Sequence, residues 1–358
     1  MARITRPRYE SFDGMRGIAC LLIVCLHVWM YTDANWPEPG RTDLLDRVVG
    51  EFRVALIFFF VLSGFLLSLP WAAGRTPNLR RYAARRFARV APGYWLAVAG
   101  SFLLLAGTGH GREIAAQDLP KFIFFIPNLF EETRNLLDPP MWSLHVEVSF
   151  YIVLPLIGFA LLRSKRPLVS VCALLIGAGL VWTTIGTIEA WPPEVTWTLP
   201  SYIGVLTCGI AAAVLAQRHP PRFVGAAGVL IVLANSVWHS AGTGPVGHAV
   251  GDLPAAVGFG LILWSMAYRE NRVLASRPVV WTGTVSFGVY LWHMPVLYWL
   301  GMRDEGLPER FLPTALIVFP ITFVLASLSW YFVEKPAMRL GDKVVPSSPR
   351  RRVRSAET

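Results

Sequence analysis

Long runs of apolar residues alternate with short polar stretches along this chain, with little of the amphipathic alternation of a soluble helix or strand. Each run is roughly long enough to cross ~30 Å of hydrocarbon as a helix, in some cases with tilt. The pattern therefore predicts an all-α polytopic membrane bundle with about ten transmembrane helices. The predicted spans are 15–31, 54–73, 91–107, 144–162, 168–187, 199–216, 223–238, 253–268, 284–301 and 312–333.

Composition supports this fold class. Hydrophobic residues make up 54% of the 358 positions and charged residues 16%, with a mean hydropathy of +0.48. A soluble domain carries about 25% charged residues. We expect residues 1–342 to form one membrane domain and residues 343–358 to form a basic, disordered tail. The four cysteines fall inside predicted spans without metal-ligand spacing, so the sequence predicts no metal site.

The distribution of Lys and Arg sets the orientation. With the N-terminus in the cytoplasm, 25 of the 33 basic residues fall on that side, and the opposite loops hold 16 of the 23 acidic residues. Both termini are therefore predicted to be cytoplasmic, in a multi-pass protein of the plasma membrane. The net charge of +10 then reflects topology and contact with anionic membrane lipids, and it does not indicate a nucleic-acid partner.

Ionisable side chains inside the first span are the first functional candidates, because charge is costly in a membrane. Arg16 and His27 lie eleven residues apart and share one helical face, with Asp13 one turn before Arg16. Two interpretations stay open. Asp13 and Arg16 pair at the interface while His27 is a hydrogen-bonded core residue, or the three form one functional stripe.

A carboxylate in the fourth span is the second candidate. Glu147 lies about one turn inside the outer end of this span, with Ser143 one turn before it and Trp142 beside Ser143. Counting from the span ends places Glu147 and His27 at similar depth. A carboxylate that orients a histidine suits general-base chemistry. The alternative is that Glu147 bonds backbone or water in an outer vestibule.

The ninth span contributes a third polar stripe. Ser286, Tyr290 and His293 follow the spacing i, i+4, i+7 and therefore share one face. His293 is placed to position an acceptor hydroxyl or to relay protons. Alternatively, Tyr290 and His293 only form hydrogen bonds between helices.

A predicted cytoplasmic loop after the second span holds six arginines within fifteen residues. Arg81, Arg85 and Arg89 repeat at helical spacing, and Arg86 and Arg89 form an RxxR pair near the membrane entrance. Such a run usually contacts lipid headgroups. It equally suits the phosphates of a bulky cytosolic donor, because the guanidinium fork matches phosphate oxygens.

Six motifs, in order along the chain, resemble those of the acyltransferase family 3 membrane proteins, which O-acylate carbohydrates and some secondary metabolites. FDGMRGIACLLIVCLH is similar to the opening motif with its R-x10-H pair, here Arg16 and His27. RRFARVAPGYW resembles the third motif, with its RxxR at Arg86 and Arg89. FFFVLSGFLLS, SFGVYLWHMP and WYFVEKPAMR resemble the second and the two closing motifs.

WSLHVEVSFY is similar to the fourth motif of that family and retains its glutamate as Glu147. His145 and Ser149 depart slightly from its common form. We expect no SGNH-type hydrolase domain of the kind that some members carry after the membrane region.

The resemblance implies an acyl-CoA donor, acetyl-CoA by the family's default, and an acceptor hydroxyl on a glycan, a glycolipid or a glycosylated metabolite. It implies no permanently bound cofactor. Arg16, Arg86 and Arg89 would bind the CoA phosphates, His27 would deprotonate the acceptor hydroxyl, and Glu147 would orient His27. A covalent acyl-His or acyl-Ser intermediate stays open. Substrate contacts are expected from Asp13, Trp142, Ser143, Tyr290 and His293.

Two other classes of function compete with this interpretation. A secondary transporter of a lipid-linked or small polar molecule would use the intramembrane His and Glu as a proton relay. Against it, the sequence shows no inverted repeat and no paired broken helices. A non-catalytic scaffold would leave the alignment of Arg16 with His27 unexplained.

Overall fold

The computed structural model describes residues 9–32, 44–106, 114–240, 250–301 and 311–344. Each of the ten predicted spans coincides with a helix in this part of the chain, so the all-α class is confirmed. The helices are α1 (Glu10–Thr32), α2 (Leu44–Gly50), α3 (Val54–Ala72), α4 (Leu79–Leu105), α5 (Leu119–Ile123), α6 (Trp142–Arg163), α7 (Ala173–Ile188), α8 (Pro193–Thr196), α9 (Leu199–Leu215), α10 (Val224–Ser240), α11 (Leu253–Met266), α12 (Arg277–Gly301), α13 (Phe311–Ser329) and α14 (Lys335–Val344).

Helix length and surface composition make this a multi-pass membrane protein. Within the described residues, 7 helical segments are long and apolar enough to cross a membrane. Helices α10 and α11 are apolar but shorter, and α12 has 25 residues but carries polar groups. Large apolar side chains such as Leu103, Ile152 and Phe332 are about three-quarters exposed, as expected for a surface that faces lipid. The side on which each terminus lies stays a prediction.

The arginine-rich segment is helical, which differs from the predicted loop. Helix α4 begins at Leu79, where the side chain of Asn78 accepts a hydrogen bond from the backbone N–H of Arg81 at 3.0 Å. The helix therefore begins twelve residues before the predicted span, which starts at 91. The arginines of this segment lie on a rigid extension of the same helix. At the other end, α14 continues to Val344, two residues into the predicted tail, and residues 345–358 lie outside the described part of the chain.

The helices pack as two groups that share α1. Buried side chains of α3, α6, α9 and α11 form one apolar core, with partly buried side chains of α7 packed against it, and those of α4, α12, α13 and the segment before α6 form another. Within the first group, a Cβ at Gly64 would lie 2.0 Å from the carbonyl oxygen of Leu206, so only glycine permits this approach of α3 to α9. The junction between the two groups is where the polar residues of α1, α3, α4, α6 and α12 meet.

Backbone contact between α1 and α12 sets the register of the junction. A Cβ at Gly283 would lie 1.7 Å from the carbonyl oxygen of Asp13, and a Cβ at Gly17 would lie 2.7 Å from the Gly283 nitrogen. Farther along the same pair of helices, the thiol of Cys20 lies 3.2 Å from the carbonyl oxygen of Ser286. The two helices therefore run in parallel in close contact, and this register brings His27 opposite His293.

Candidate active site

Two histidines from α1 and α12 form a direct hydrogen bond. The Nδ1 atom of His27 lies 2.7 Å from the Nε2 atom of His293. The two ring planes differ by only 8° and the ring centroids are 4.9 Å apart, much farther than the nitrogens, so the rings meet edge to edge in nearly one plane. This is the geometry of an N–H···N hydrogen bond.

The backbone fixes the tautomers of this pair. The Nδ1 atom of His293 lies 2.6 Å from the carbonyl oxygen of Tyr290, which can only accept, so this Nδ1 carries the proton. In a neutral His293 the Nε2 atom must then accept the hydrogen bond from the Nδ1–H of His27. The Nε2 atom of His27 is left with a free lone pair. His293 is fully buried, whereas His27 is partly exposed, so the free lone pair belongs to the more accessible ring.

A cavity of about 140 Å³ lies at the junction of the two helix groups, on the arginine-rich side of the histidine pair. Its arginine-rich end is lined by Arg16, Arg86 and Arg89, and its other end by Ser143 and Tyr290. The ring of Tyr290 lies 5.7 Å from that of His293, centroid to centroid. The cavity therefore ends one side chain short of the histidine pair.

The inner cavity continues into a wider one of about 830 Å³, which opens at the arginine-rich face and shares Arg16, Arg86 and Arg89 with it. Arg16 pairs with Asp13 at 3.1 Å, and Arg89 pairs with the buried Glu334 at 3.4 Å. Arg86, by contrast, has no carboxylate partner among the described residues and lies over the ring of Tyr151. Two paired arginines and one without a carboxylate give the wide cavity a positive lining.

Glu147 does not contact His27 in the structure, so the predicted contact between these two side chains is wrong. The carboxylate of Glu147 accepts hydrogen bonds from the hydroxyls of Ser63 and Tyr151. Ser143 on α6 contacts Tyr290 on α12, so these two residues lie at the same depth. Glu147 lies four residues from that level toward one side of the membrane, and His293 lies three residues from it toward the other side. At 1.5 Å per residue, Glu147 and His293 therefore differ in depth by about 10 Å. The sequence could not reveal this difference in depth, because the ends of the predicted spans were not known precisely enough. Among the described residues, the side chain that hydrogen-bonds His27 is that of His293.

The other predicted substrate contacts divide into two places. Ser143 and Tyr290 lie together, with their hydroxyl oxygens 2.7 Å apart, at the closed end of the inner cavity. Asp13 lines the wide cavity beside Arg16. Trp142 points away from both, and its ring stacks on that of Trp197 with centroids 5.5 Å apart.

A buried carboxyl that the sequence did not indicate lies near the same junction. Asp138 is 1% exposed, and neither of its carboxyl oxygens has a hydrogen-bond partner among the described residues. A tight turn directs it inward, because Leu137 has a left-handed φ of 54° and the Asp138 N–H bonds the carbonyl of Leu136. Burial raises the pKa of the Asp138 carboxyl well above its ordinary value. The sequence analysis considered ionisable residues inside the predicted spans, and Asp138 lies outside them.

The arrangement supplies the parts of a group-transfer reaction. An imidazole nitrogen with a free lone pair can accept a proton, and a second imidazole can share the charge that results. A positive cavity on the arginine-rich side can bind a phosphorylated donor. Between them lie the hydroxyls of Ser143 and Tyr290, at the closed end of the inner cavity.

Comparison with known proteins places this chain among the acyltransferases. A profile of the protein family described as "Acyltransferase domain" matches residues 9–333. A peptidoglycan O-acetyltransferase of Listeria monocytogenes, OatA, is 23% identical over 95% of this chain and 57% of its own length. Nodulation protein 10 of Rhizobium leguminosarum is 25% identical over 94% of this chain and 95% of its own. Acyltransferase MdmB of Streptomyces mycarofaciens is 25% identical over 93% of this chain and 92% of its own.

The relatives differ in how much of them this chain covers. It spans little more than half the length of the peptidoglycan O-acetyltransferase, and nearly the whole of the nodulation protein and of MdmB. No solved structure matches this chain.

Proposed function

We propose that this chain, which belongs to the membrane acyltransferase family whose domain spans residues 9–333, is an O-acyltransferase that uses acyl-CoA as its donor. The acyl group is acetyl, and the acceptor is a hydroxyl of a glycan, a glycolipid or a glycosylated metabolite. The observation that carries the proposal is the His27–His293 hydrogen bond, because it leaves a basic nitrogen beyond the closed end of an arginine-lined cavity.

The donor enters from the cytoplasmic side in this account. Arg86, Arg89 and Arg16 bind the CoA phosphates in the wide cavity, and Arg86 contributes most because it has no carboxylate to release first. Paired guanidinium groups bind a new anion at the cost of weakening an existing contact. The pantetheine arm then follows the inner cavity to Ser143 and Tyr290, whose hydroxyls lie near the thioester.

The transfer step uses His27 as the general base. The Nε2 atom of His27 takes the proton of the acceptor hydroxyl while the hydroxyl oxygen forms a bond to the thioester carbonyl carbon. The carbon–sulfur bond then breaks, and the CoA thiolate leaves with the proton that His27 returns. Throughout, His293 accepts the Nδ1–H of His27 and spreads the charge of the imidazolium.

Glu147 has a positioning role in this account instead of the predicted contact with His27. It anchors Ser63 and Tyr151 and places a negative charge beside Arg16, whose electrostatic environment includes Glu147 and Arg89. A carboxylate there limits the mutual repulsion of the arginines when no donor is bound.

Transfer of radiolabel tests this function. Membranes that contain the full chain receive acetyl-CoA labelled in the acetyl group, together with extracted envelope glycans and lipids of the producing cell. We expect label in a glycan, lipid or glycoside, and none with membranes that lack the chain. A secondary transporter would instead move an unmodified solute and leave acetyl-CoA intact, and that result would refute the proposal.

A further inference from the structure

A groove of about 350 Å³ lies between α4 and α6 and opens toward the surrounding lipid. Phe87 on its α4 wall and Ile152 on its α6 wall are 58% and 72% exposed on that surface. The α4 wall follows the helix from its first residue for about 18 Å, because its side chains repeat every four residues in two rows. The rows are Leu79, Ala83, Phe87 and Ala91, and Tyr82, Arg86 and Val90. We call this space the lateral groove.

The lateral groove offers one charged group, and neither tyrosine that lines it has a free hydroxyl. The hydroxyl of Tyr82 donates to the backbone carbonyl of Tyr151 at 3.1 Å, and the hydroxyl of Tyr151 donates to Glu147. Apart from the guanidinium of Arg86, the rest of the described lining is apolar. A molecule with an acyl chain and an anionic headgroup fits such a lining, whereas a sugar would leave most of its hydroxyls without partners.

Charge around the lateral groove favours a ligand with a net negative charge. Residues 73–91, which hold the α4 wall, include six arginines and no acidic residue, and residues 148–163 of α6 include no acidic residue. Arg75 and Arg80 are exposed within four residues of Leu79, where the groove begins. Arginines at a membrane surface attract anionic headgroups, and a zwitterionic headgroup would bring a further positive charge to them.

Arg86 belongs to the lateral groove and to both donor cavities. It lines the groove, the inner cavity and the wide cavity, and it has no carboxylate partner among the described residues. Its guanidinium carbon lies 5.9 Å from the centre of the Tyr151 ring. Tyr151 and Val90 line both the groove and the inner cavity. These three side chains therefore separate the lipid-facing groove from the inner cavity, and a phosphate on either side would bind the same guanidinium.

We infer that the lateral groove binds an anionic phospholipid, with one acyl chain between α4 and α6 and the headgroup phosphate on Arg86. The lipid and the CoA phosphates then compete for this guanidinium, so an anionic membrane lowers the affinity of the chain for its donor. The lipid site rests on the form and charge of the groove. Competition with the donor rests in addition on the proposed function.

An exposed alanine allows the groove to be filled without disturbing the helix packing. Ala83 is exposed and lines the lateral groove, so Ala83→Phe places a ring in the space of the acyl chain. Ala99 is a matched control, because it is exposed on the same helix and lines neither the groove nor the donor cavities. Ala99→Phe therefore adds the same side chain to the lipid-facing surface elsewhere.

Photolabelling tests the inference with the full chain in nanodiscs of phosphatidylcholine. The probe is phosphatidylglycerol with a diazirine in one acyl chain, added as a minor component, and phosphatidylcholine with the same chain is the comparison. We expect the phosphatidylglycerol probe to label Phe87 and Ile152 more strongly than Phe332, which is three-quarters exposed. Ala83→Phe should lower labelling of the groove at least fivefold, and Ala99→Phe should leave it unchanged. Arg86→Gln should lower it about tenfold for phosphatidylglycerol only.

Three results would overturn the lipid site. They are labelling of Ile152 no stronger than that of Phe332, unchanged labelling of the groove in Ala83→Phe, and equal labelling of the groove by the two probes. The first two would remove the groove as a site, and the third would remove its preference for an anionic headgroup.

CoA and acetyl-CoA turnover separate the lipid site from the proposed function. In preparations that turn over acetyl-CoA, an excess of free CoA should lower labelling of the groove by phosphatidylglycerol at least fivefold, and unchanged labelling would contradict the sharing of Arg86. Labelling of the groove without any turnover would contradict the acyltransferase function alone. Turnover without labelling of the groove would contradict the lipid site alone.

Discussion

The Nδ1 atom of His27 donates a hydrogen bond to the Nε2 atom of His293 across a distance of 2.7 Å, and His293 in turn donates to the backbone of α12. This chain of donors fixes one tautomer on each ring without any carboxylate. It resembles a relay in which the second imidazole takes the orienting role that an acidic residue has in many general-base sites.

Replacement of His293 should therefore slow catalysis without weakening donor binding. We expect His293→Ala to lower kcat about 10- to 100-fold, since His27 loses the acceptor that fixes its tautomer, while the KM for acetyl-CoA stays near that of the unchanged chain. His293→Gln offers an amide oxygen to the Nδ1–H of His27 and should restore part of kcat. Steady-state kinetics on matched amounts of protein measure both. Equal kcat values for the two variants would contradict the orienting role.

Arg86 should matter only for donors that carry phosphates. Loss of a charge-assisted contact costs about 1.5–3 kcal/mol, so Arg86→Ala should raise the KM for acetyl-CoA about 10- to 100-fold. Acetyl-pantetheine, which lacks the CoA phosphates, should react equally with both proteins. Arg80→Ala is the control, because Arg80 is exposed on the same helix and lines neither donor cavity. Equal sensitivity of the two donors would place the phosphates elsewhere.

The ion pair between Arg89 and Glu334 should contribute to stability apart from donor binding. Glu334 is fully buried, and removal of one partner from a buried pair costs about 3–5 kcal/mol because the other charge stays uncompensated. Arg89→Ala should therefore lower the midpoint of thermal unfolding. The double variant Arg89→Ala with Glu334→Gln should recover most of it, because no buried charge remains. Failure of the second substitution to restore stability would show that the pair is not coupled.

Asp138 should make stability depend on pH. The pKa of this carboxyl is raised by burial in the folded chain, so folding favours its protonated form. Stability is then greatest below the ordinary carboxyl pKa of about 3.9 and falls as pH rises toward the raised value, by at most about 1.4 kcal/mol per pH unit. Asp138→Asn keeps the shape but cannot ionise. We expect it to unfold at a higher temperature than the unchanged chain at pH 8, with a smaller difference at pH 5. The same difference at both pH values would contradict a buried, protonated Asp138.

Sequence reasoning predicted the fold class and singled out most of the polar residues that the structure brings together at the helix junction, because charge and polarity in a membrane are rare enough to stand out. The stripe of Arg16 and His27 followed from helical spacing alone. The partner of His27 did not, since the contact with His293 depends on how closely two helices approach at Gly17 and Gly283, 266 residues apart in sequence. Depth counted from the ends of apolar runs misplaced Glu147 by about two helical turns.

The arginine segment shows a second limit of the same kind. Its helical spacing was visible, yet the segment was predicted as a loop because hydropathy marks where a helix enters lipid and not where it begins. The Asn78 cap lies outside the apolar run that defined the span. Asp138 was missed for a related reason, since a loop folded into the bundle buries a carboxyl that hydropathy places in water.

The most direct test of the account is acyl transfer by His27→Ala in membranes, measured with labelled acetyl-CoA and corrected for the amount of folded protein. We expect a loss of at least about 100-fold in kcat, because the Nε2 atom of His27 is the free basic nitrogen of the histidine pair that lies beyond the closed end of the donor cavity. Binding of acetyl-CoA, followed by equilibrium dialysis, should be unchanged in the same variant. Transfer near the rate of the unchanged chain would contradict His27 as the base and with it the mechanism proposed here.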